Sequence, residues 1–341
     1  MQKILFLLLA CLFTQVVIGQ IQDSISDSTV RVDSSLLSLE MELNQLGETL
    51  LNDSLLINRQ NANHKFSILL EQALQEPSAY AYAFDSLYTV SKLRSADDSF
   101  RIFTWQLFEK DDVYTYMGYI LKADGTLIKL NDASSDYLTP EFETGDKDHW
   151  YGALYYSMTP FQVKDKTMYL VFGFDGNSLM ENRKIIDVLS FDEAGNPIFG
   201  ADVFVPGEQS TSHPASMSRV ILEYFAGAKI SCNYDEIQQQ VLYDHLIFKK
   251  TQFGQFLIPD GSYEGYVYDK GKWRHNVKVF HQTQEAPPFP APKENHKDIF
   301  GKENDRATVN PNRSKKGNEG VRKRNAKRRA EKEKIQSENN K

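Results

Sequence analysis

Leu36, Leu39, Leu43, Leu46 and Leu50 recur at three- and four-residue spacing, the period that places side chains on one face of a helix. Asp33 to Ser35 stand just before them with side chains suited to capping, so a helix is predicted here. A second helical pattern runs from Ala62 to Gln75 and stops before Pro77, and a third covers Tyr80 to Leu93. From Phe100 onward the pattern changes to short runs rich in aromatic and β-branched residues. Phe100 to Phe108, Tyr114 to Leu121, Thr126 to Leu130, Trp150 to Met158, Met168 to Phe174, Ile185 to Phe191 and Pro197 to Val205 read as strands. So do Arg219 to Phe225, Lys229 to Tyr234, Val241 to Phe248, Phe253 to Ile258, Tyr263 to Tyr268 and Trp273 to Phe280. Ala123-Asp-Gly125, Glu193-Ala-Gly-Asn196 and Asp269-Lys-Gly271 supply tight turns between them, because Gly and Asn tolerate positive φ.

Short strands joined by tight turns, with no helical pattern between them, predict an antiparallel meander. Met168, Leu170, Phe172 and Phe174 alternate with Tyr169 and Val171, so both faces of that strand are apolar. It must be covered on both sides, by a second sheet, a barrel interior or the helices. The predicted fold class is α+β, mainly β: a meander forming a sandwich or barrel-like core, with N-terminal helices. The stretch from Asp85 to Lys278, about 190 residues, is ample for such a core. The turns recur without a fixed period, which argues against a propeller.

The two ends differ from this body. Lys3 is followed by ten apolar residues, Ile4 to Phe13, too few to span a bilayer as a helix. Val17-Ile-Gly19 then provides a cleavage site before Gln20, the pattern of a secretory signal peptide. The expected location is therefore periplasmic, outer-membrane-associated or extracellular. Leu8-Leu-Ala-Cys11 resembles a lipoprotein box, but the apolar run continues past Cys11, which favours simple cleavage over lipid anchoring. Removal of Cys11 leaves Cys232 as the one thiol of the two cysteines, so no internal disulfide can form. Cys232 reads as a buried small hydrophobe.

At the other end, Lys293 to Lys341 holds 16 of the 39 Lys and Arg but 8 of the 46 Asp and Glu. The chain's net charge of −7 therefore conceals an acidic body and a cationic tail. Glu285-Ala-Pro-Pro-Phe-Pro-Ala-Pro292 separates them as a stiff spacer. The tail has too few apolar residues to offset chain entropy and is expected to be disordered. The organisation predicted is signal peptide 1–19, polar lead 20–35, helical segment 36–93, β-rich domain 94–284, linker 285–292 and tail 293–341.

Candidate chemistry is sparse. Glu141, Glu143, Asp146, Asp148 and His149 crowd donors into one loop that could serve a hard cation, although the Asp-x-Asx-x-Asx-Gly calcium pattern is absent. Asp146, Asp148 and Asp175 are the carboxylates from which an acid and a base could be drawn, and Asp175-Gly-Asn177 also reads as a plain turn. Asp244 and His245 are adjacent on a strand and so point to opposite faces. Trp105, Trp150, Tyr151, Tyr155, Tyr156, Tyr266 and Trp273 are core material first and a ligand platform second. No His-Glu-x-x-His, Gly-x-Ser-x-Gly or phosphate-binding glycine loop is present, and nothing calls for a cofactor. In the tail, two cationic triplets, Arg322, Lys323 and Arg324 and then Lys327, Arg328 and Arg329, suit binding to anionic envelope components. Without interleaved aromatics they do not suit sequence-specific nucleic-acid binding.

Phe100-Arg-Ile-Phe-Thr-Trp105, Trp150-Tyr-Gly-Ala-Leu-Tyr-Tyr156, Phe172-Gly-Phe-Asp-Gly-Asn177 and Ile185-Ile-Asp-Val-Leu-Ser-Phe191 together resemble a family of uncharacterised secreted bacterial proteins. The resemblance covers roughly Asp85 to Phe280. It implies an exported single domain and brings no activity, cofactor or catalytic residue. The sequence thus points to a non-enzymatic cell-envelope binding or scaffold protein. Two alternatives are a periplasmic hydrolase or glycan-processing enzyme using loop carboxylates, and a subunit of an envelope assembly docking through Leu36, Leu39, Leu43, Leu46 and Leu50.

Overall fold

The computed structural model describes residues 34–109, 113–207, 216–251, 254–277 and 279. All belong to one unit, which runs to Phe280. The signal peptide, nearly all of the polar lead, the linker and the cationic tail lie outside the described residues. Among those described, no helix is long and apolar enough to cross a membrane.

Two helices open the described chain, α1 (Ser34–Asn52) and α2 (Leu56–Gln75). They pack on a sheet of β1 (Ser91–Arg94), β2 (Phe100–Phe108), β3 (Tyr114–Lys122) and β4 (Leu127–Asn131), in that order. The second sheet has the order β10-β7-β6-β5, with β5 (Leu154–Val163), β6 (Lys166–Asp175), β7 (Glu181–Phe191) and β10 (Val220–Phe225). Short β8 (Pro197–Phe199) pairs with β7. The third has the order β11-β12-β13-β14-β9: β11 (Cys232–Asp235), β12 (Gln240–Thr251), β13 (Gly254–Asp269), β14 (Lys272–Asn276) and β9 (Phe204–Val205). These strands pair antiparallel except β14 with β9. The fold is α+β and mainly β, and among the described residues the sheets stay open, with no closed barrel.

Three apolar layers hold the elements together. Leu36, Leu43 and Leu50 of α1 and Phe66, Leu70 and Leu74 of α2 pack on Phe103, Trp105, Leu107, Tyr119 and Leu121 of the first sheet. The other face of that sheet, with Phe100, Ile102, Tyr116 and Ile120, meets Tyr155, Tyr169, Val171, Ile185 and Leu189 of the second. The second sheet in turn offers Leu170, Phe172, Ile186 and Val188 to Val241, Tyr243, Tyr266 and Trp273 of the third. Strands apolar on both faces are thus explained, because the first two sheets are each covered twice.

Several expectations need correction. The leucine face of α1 is turned into its own core, with Leu36 and Leu43 fully buried and Leu39 and Leu46 packed beside them, so it is closed to a docking partner. No helix forms over Tyr80 to Leu93. Residues 76–90 form turns, because Arg101 Nη1 donates to the carbonyls of Ala79, Tyr80 and Tyr82 and Lys92 Nζ to those of Phe84 and Leu87. Carbonyls that a helix would have paired internally are claimed by cations from the sheet. The run from Pro197 to Val205 breaks into β8 and β9 at Gly200, whose φ is +84°. Conversely, Phe253 to Ile258 and Tyr263 to Tyr268 do not form two strands, since the single strand β13 runs from Gly254 to Asp269.

Candidate functional site

The acidic loop is a structural staple. Glu143 Oε1 accepts from the backbone of Leu138 (3.1 Å) and Thr139 (2.5 Å), and Asp146 Oδ1 from Asp148 (2.8 Å) and His149 (2.9 Å). Asp148 accepts from Asn131 Nδ2 at 2.9 Å and pairs with Lys147, which holds its carboxyl below the usual range. Glu141 contributes its backbone carbonyl, bonded by the amide of Ser218. The loop is pinned to the second sheet where Gly145 and Phe199 exchange both backbone hydrogen bonds, at 2.8 and 2.9 Å. A Cβ on Gly145 would lie 2.0 Å from the carbonyl oxygen of His149, so only glycine fits. Among the described residues, no group of three or more His, Cys, Asp or Glu is placed to hold a metal ion, and these five donors do not converge.

Asp175 sits apart from that loop, at the end of β6. Its Oδ1 accepts from Tyr116 Oη (2.8 Å) and the Asn177 amide (2.8 Å), and Oδ2 lies 3.7 Å from Arg183 Nη1. Asn177 has φ +44°, as the turn requires. Burial first, and then the negative charge of Asp175, push the Tyr116 hydroxyl far above its ordinary range. The arrangement ties β3 to β6 and β7. The tail cations Arg322, Lys323, Arg324, Lys327, Arg328 and Arg329 lie outside the described residues, so neither triplet has a place in this geometry.

Beneath the acidic loop lies a fully buried ion pair. Arg219 Nε donates to Asp187 Oδ2 at 3.1 Å, its Nη1 reaches the carbonyls of Pro140 and Glu143, and its guanidinium lies 5.2 Å from the ring centres of Tyr137 and Tyr151. Burial works against the Arg219 charge, but Asp187 and Tyr137 outweigh it and hold the group cationic. Cys232 is buried as predicted, and burial pushes its thiol up to about 12. The seven aromatics named above are core: all are buried except Tyr156, which is half-buried and donates from its hydroxyl to the carbonyl of Cys232.

Two polar constellations escape a one-dimensional reading. The first gathers on β12, β13 and β14. His245 Nδ1 lies 3.0 Å from Asp260 Oδ2 and Nε2 3.4 Å from Glu264 Oε1, while His275 Nε2 lies 3.1 Å from Glu264 Oε2 and 2.8 Å from Tyr243 Oη. Burial opposes ionisation of Glu264, but the hydrogen bond and charge of His275 and the charge of His245 prevail and lower its pKa. Asp244, on the opposite face, instead accepts from the backbone and hydroxyl of Ser231. The alternation of faces along β12 is readable from the sequence. That Glu264 meets both His245 and His275 depends on strand register, which sequence does not display.

The second is a cleft of about 540 Å³ between α2 and the first sheet. Gln60, Asn63, His64 and Ser67 line it at i, i+3, i+4 and i+7, one face of α2. Trp105, Met117 and Tyr119 line it from the sheet, with Lys129 and Asn131 beside them on β4 and Asp132 just beyond. Asn63 Oδ1 accepts from the indole nitrogen of Trp105 at 2.9 Å, satisfying a buried donor. Tyr119 Oη donates to Glu71 at 3.0 Å. The polar stripe on α2 is visible in the sequence; that it turns toward the β4 side of the sheet is not. None of Asp146, Asp148 or Asp175 lines this cleft.

An α+β protein of layered open sheets with a helix-walled polar cleft is the class these features define. No family model, curated protein or solved structure matches the chain. The resemblance to secreted proteins therefore rests on the four quoted segments alone.

Proposed function

We propose that the chain is an exported, non-enzymatic binding protein of the cell envelope, which takes a sugar or similar polyol in the cleft between α2 and the first sheet. The cleft carries this reading. Its volume of about 540 Å³ lies within the usual range for small-ligand sites. It is lined by the amides of Gln60, Asn63 and Asn131 and the hydroxyls of Ser67 and Thr115, each bonded within the protein and each retaining donor or acceptor capacity that a sugar hydroxyl can use. His64 on α2 and Lys129 on β4 are both exposed. The hydrolase alternative is supported less, because the carboxylates it would use are engaged by local hydrogen bonds and belong to separate elements.

Thermal unfolding in the presence of a panel of mono- and oligosaccharides tests this. A ligand at a hundred times its Kd adds about 2.7 kcal/mol, which raises Tm by roughly 5–10 °C in a domain of this size. Replacing the exposed His64 and Lys129 with alanine should abolish the shift while leaving the ligand-free Tm in place. A shift that survives this double substitution, or no shift with any saccharide at millimolar concentration, overturns the assignment.

A further inference from the structure

The β12–β13 hairpin outlasts the sheet that carries it. From Gln240 to Asp244, β12 pairs with Tyr263 to Val267 within the third sheet. The register then shifts: His245 alone faces Asp260, Gly261 and Ser262, and pairing resumes at Leu246 with Pro259. Gly261 takes φ +91° there, a left-handed turn of the backbone that allows the ribbon to bend away. Beyond this bulge the ladder continues through Ile247–Ile258, Phe248–Leu257, Lys249–Phe256 and Lys250–Gln255.

Cross-strand partners share a face, so the distal ribbon has two. On one, Phe256 rests against Phe225 of β10 with ring centres 5.1 Å apart. On the other, Leu246, Phe248, Leu257 and Pro259 lie together, followed by Lys250. Phe248 is 69 % exposed, an uncommon state for a large aromatic in a strand. The stretches Leu246–Thr251 and Gly254–Pro259 hold two lysines and no carboxylate, in a body that is otherwise strongly acidic.

We propose that this ribbon face inserts into an anionic lipid surface. An aromatic and aliphatic patch ending in Lys250 matches the interface of such a bilayer, where apolar side chains enter the acyl boundary and a lysine reaches the head groups. The acidic body is repelled from the same surface, which leaves the ribbon as its point of contact. The inference rests on the exported reading but is independent of the cleft.

Its test uses the full chain carrying Phe248→Trp. Trp105, Trp150 and Trp273 are at most 2 % exposed, so the introduced indole is the one that can respond to lipid. With vesicles of phosphatidylcholine and phosphatidylglycerol in equal parts, its emission should shift to the blue and be quenched by lipids brominated on the acyl chain. Vesicles of phosphatidylcholine alone should give a weaker response. Replacing Lys250 with glutamine in the same chain should lower partitioning about fivefold. If the chain sediments with anionic vesicles but the indole is neither shifted nor quenched, contact lies elsewhere and the ribbon proposal fails while the envelope reading stands. No sedimentation at all overturns both. A blue shift without lipid, growing with protein concentration alongside an increase in mass, shows that a second copy covers the face and also overturns it.

Discussion

At the scale of single residues, the features with the largest consequences are polar groups fixed inside apolar layers. Asp187 and Arg219 are both fully buried, and each neutralises a charge that would otherwise be stranded. Removing one partner of such a pair costs about 3–5 kcal/mol, whereas replacing both with apolar residues of similar volume is far less damaging. Asp187→Leu and Arg219→Met should each lower stability to denaturant by that amount, and the double variant should recover most of it. Arg219 also binds the carbonyls of Pro140 and Glu143, so its loss should expose the acidic loop to amide exchange, which Asp187→Leu should do less. Additive single effects, with no recovery in the double variant, would show that the two residues act separately. Neither role is legible in the sequence, because Asp187 and Arg219 stand on non-consecutive strands, β7 and the approach to β10.

At the scale of elements, most of the strands and the two helices follow from local pattern. Ala123-Asp-Gly125 and Asp269-Lys-Gly271 turn where their glycines suggest, with φ of +88° at Gly125 and +86° at Gly271. The missing third helix has a cause outside its own segment. Tyr80 to Leu93 has helical spacing, but Arg101 and Lys92 take its carbonyls, and that competition depends on the sheet being in place. The cleft is half legible for the same reason: the α2 stripe is local, while Lys129 and Asn131 arrive through strand pairing. The β1–β2 turn shows how such distant bonds join elements. Asp97 accepts from Tyr169 Oη at 2.7 Å and Ser99 Oγ at 2.8 Å, linking the first sheet to the second. Burial opposes its charge, but the hydrogen bonds from Tyr169, Ser95 and Ser99 outweigh burial and hold its pKa at about 2, below the ordinary 3.8. A depressed carboxylate stabilises the fold above its unfolded pKa, and that contribution is lost as pH falls from 3.8 through about 2. Asp97 is solvent-exposed, so screening limits the effect to about 1 kcal/mol or less. Asp97→Asn should flatten that part of the stability-versus-pH curve while changing Tm little at pH 7. An acid limb identical to that of the native chain would exclude the link.

At the scale of the whole molecule, the unequal distribution of charge frames a last prediction. The tail from Lys293 to Lys341 carries 16 Lys and Arg against 8 Asp and Glu, and the acidic remainder makes the chain net negative. If the mature chain begins at Gln20, as the signal reading holds, the exported protein offers anionic envelope components two cationic features, the tail and the ribbon. They differ in their dependence on salt. A tail with few apolar residues is attracted by charge alone, and its attraction fades as the Debye length contracts from about 10 Å at 0.1 M salt to about 3 Å at 1 M. A ribbon that buries Phe248 and Leu257 keeps its apolar contribution, which high salt does not weaken. Retention of the native chain on envelope fractions should therefore fall in part as salt rises and level off above zero. Deleting residues 293–341 should remove most of the salt-sensitive part, and Phe248→Ser the plateau. Retention unchanged by the deletion at low salt would eliminate the tail as an anchor. A plateau untouched by Phe248→Ser would eliminate the ribbon, so each element can fail without the other.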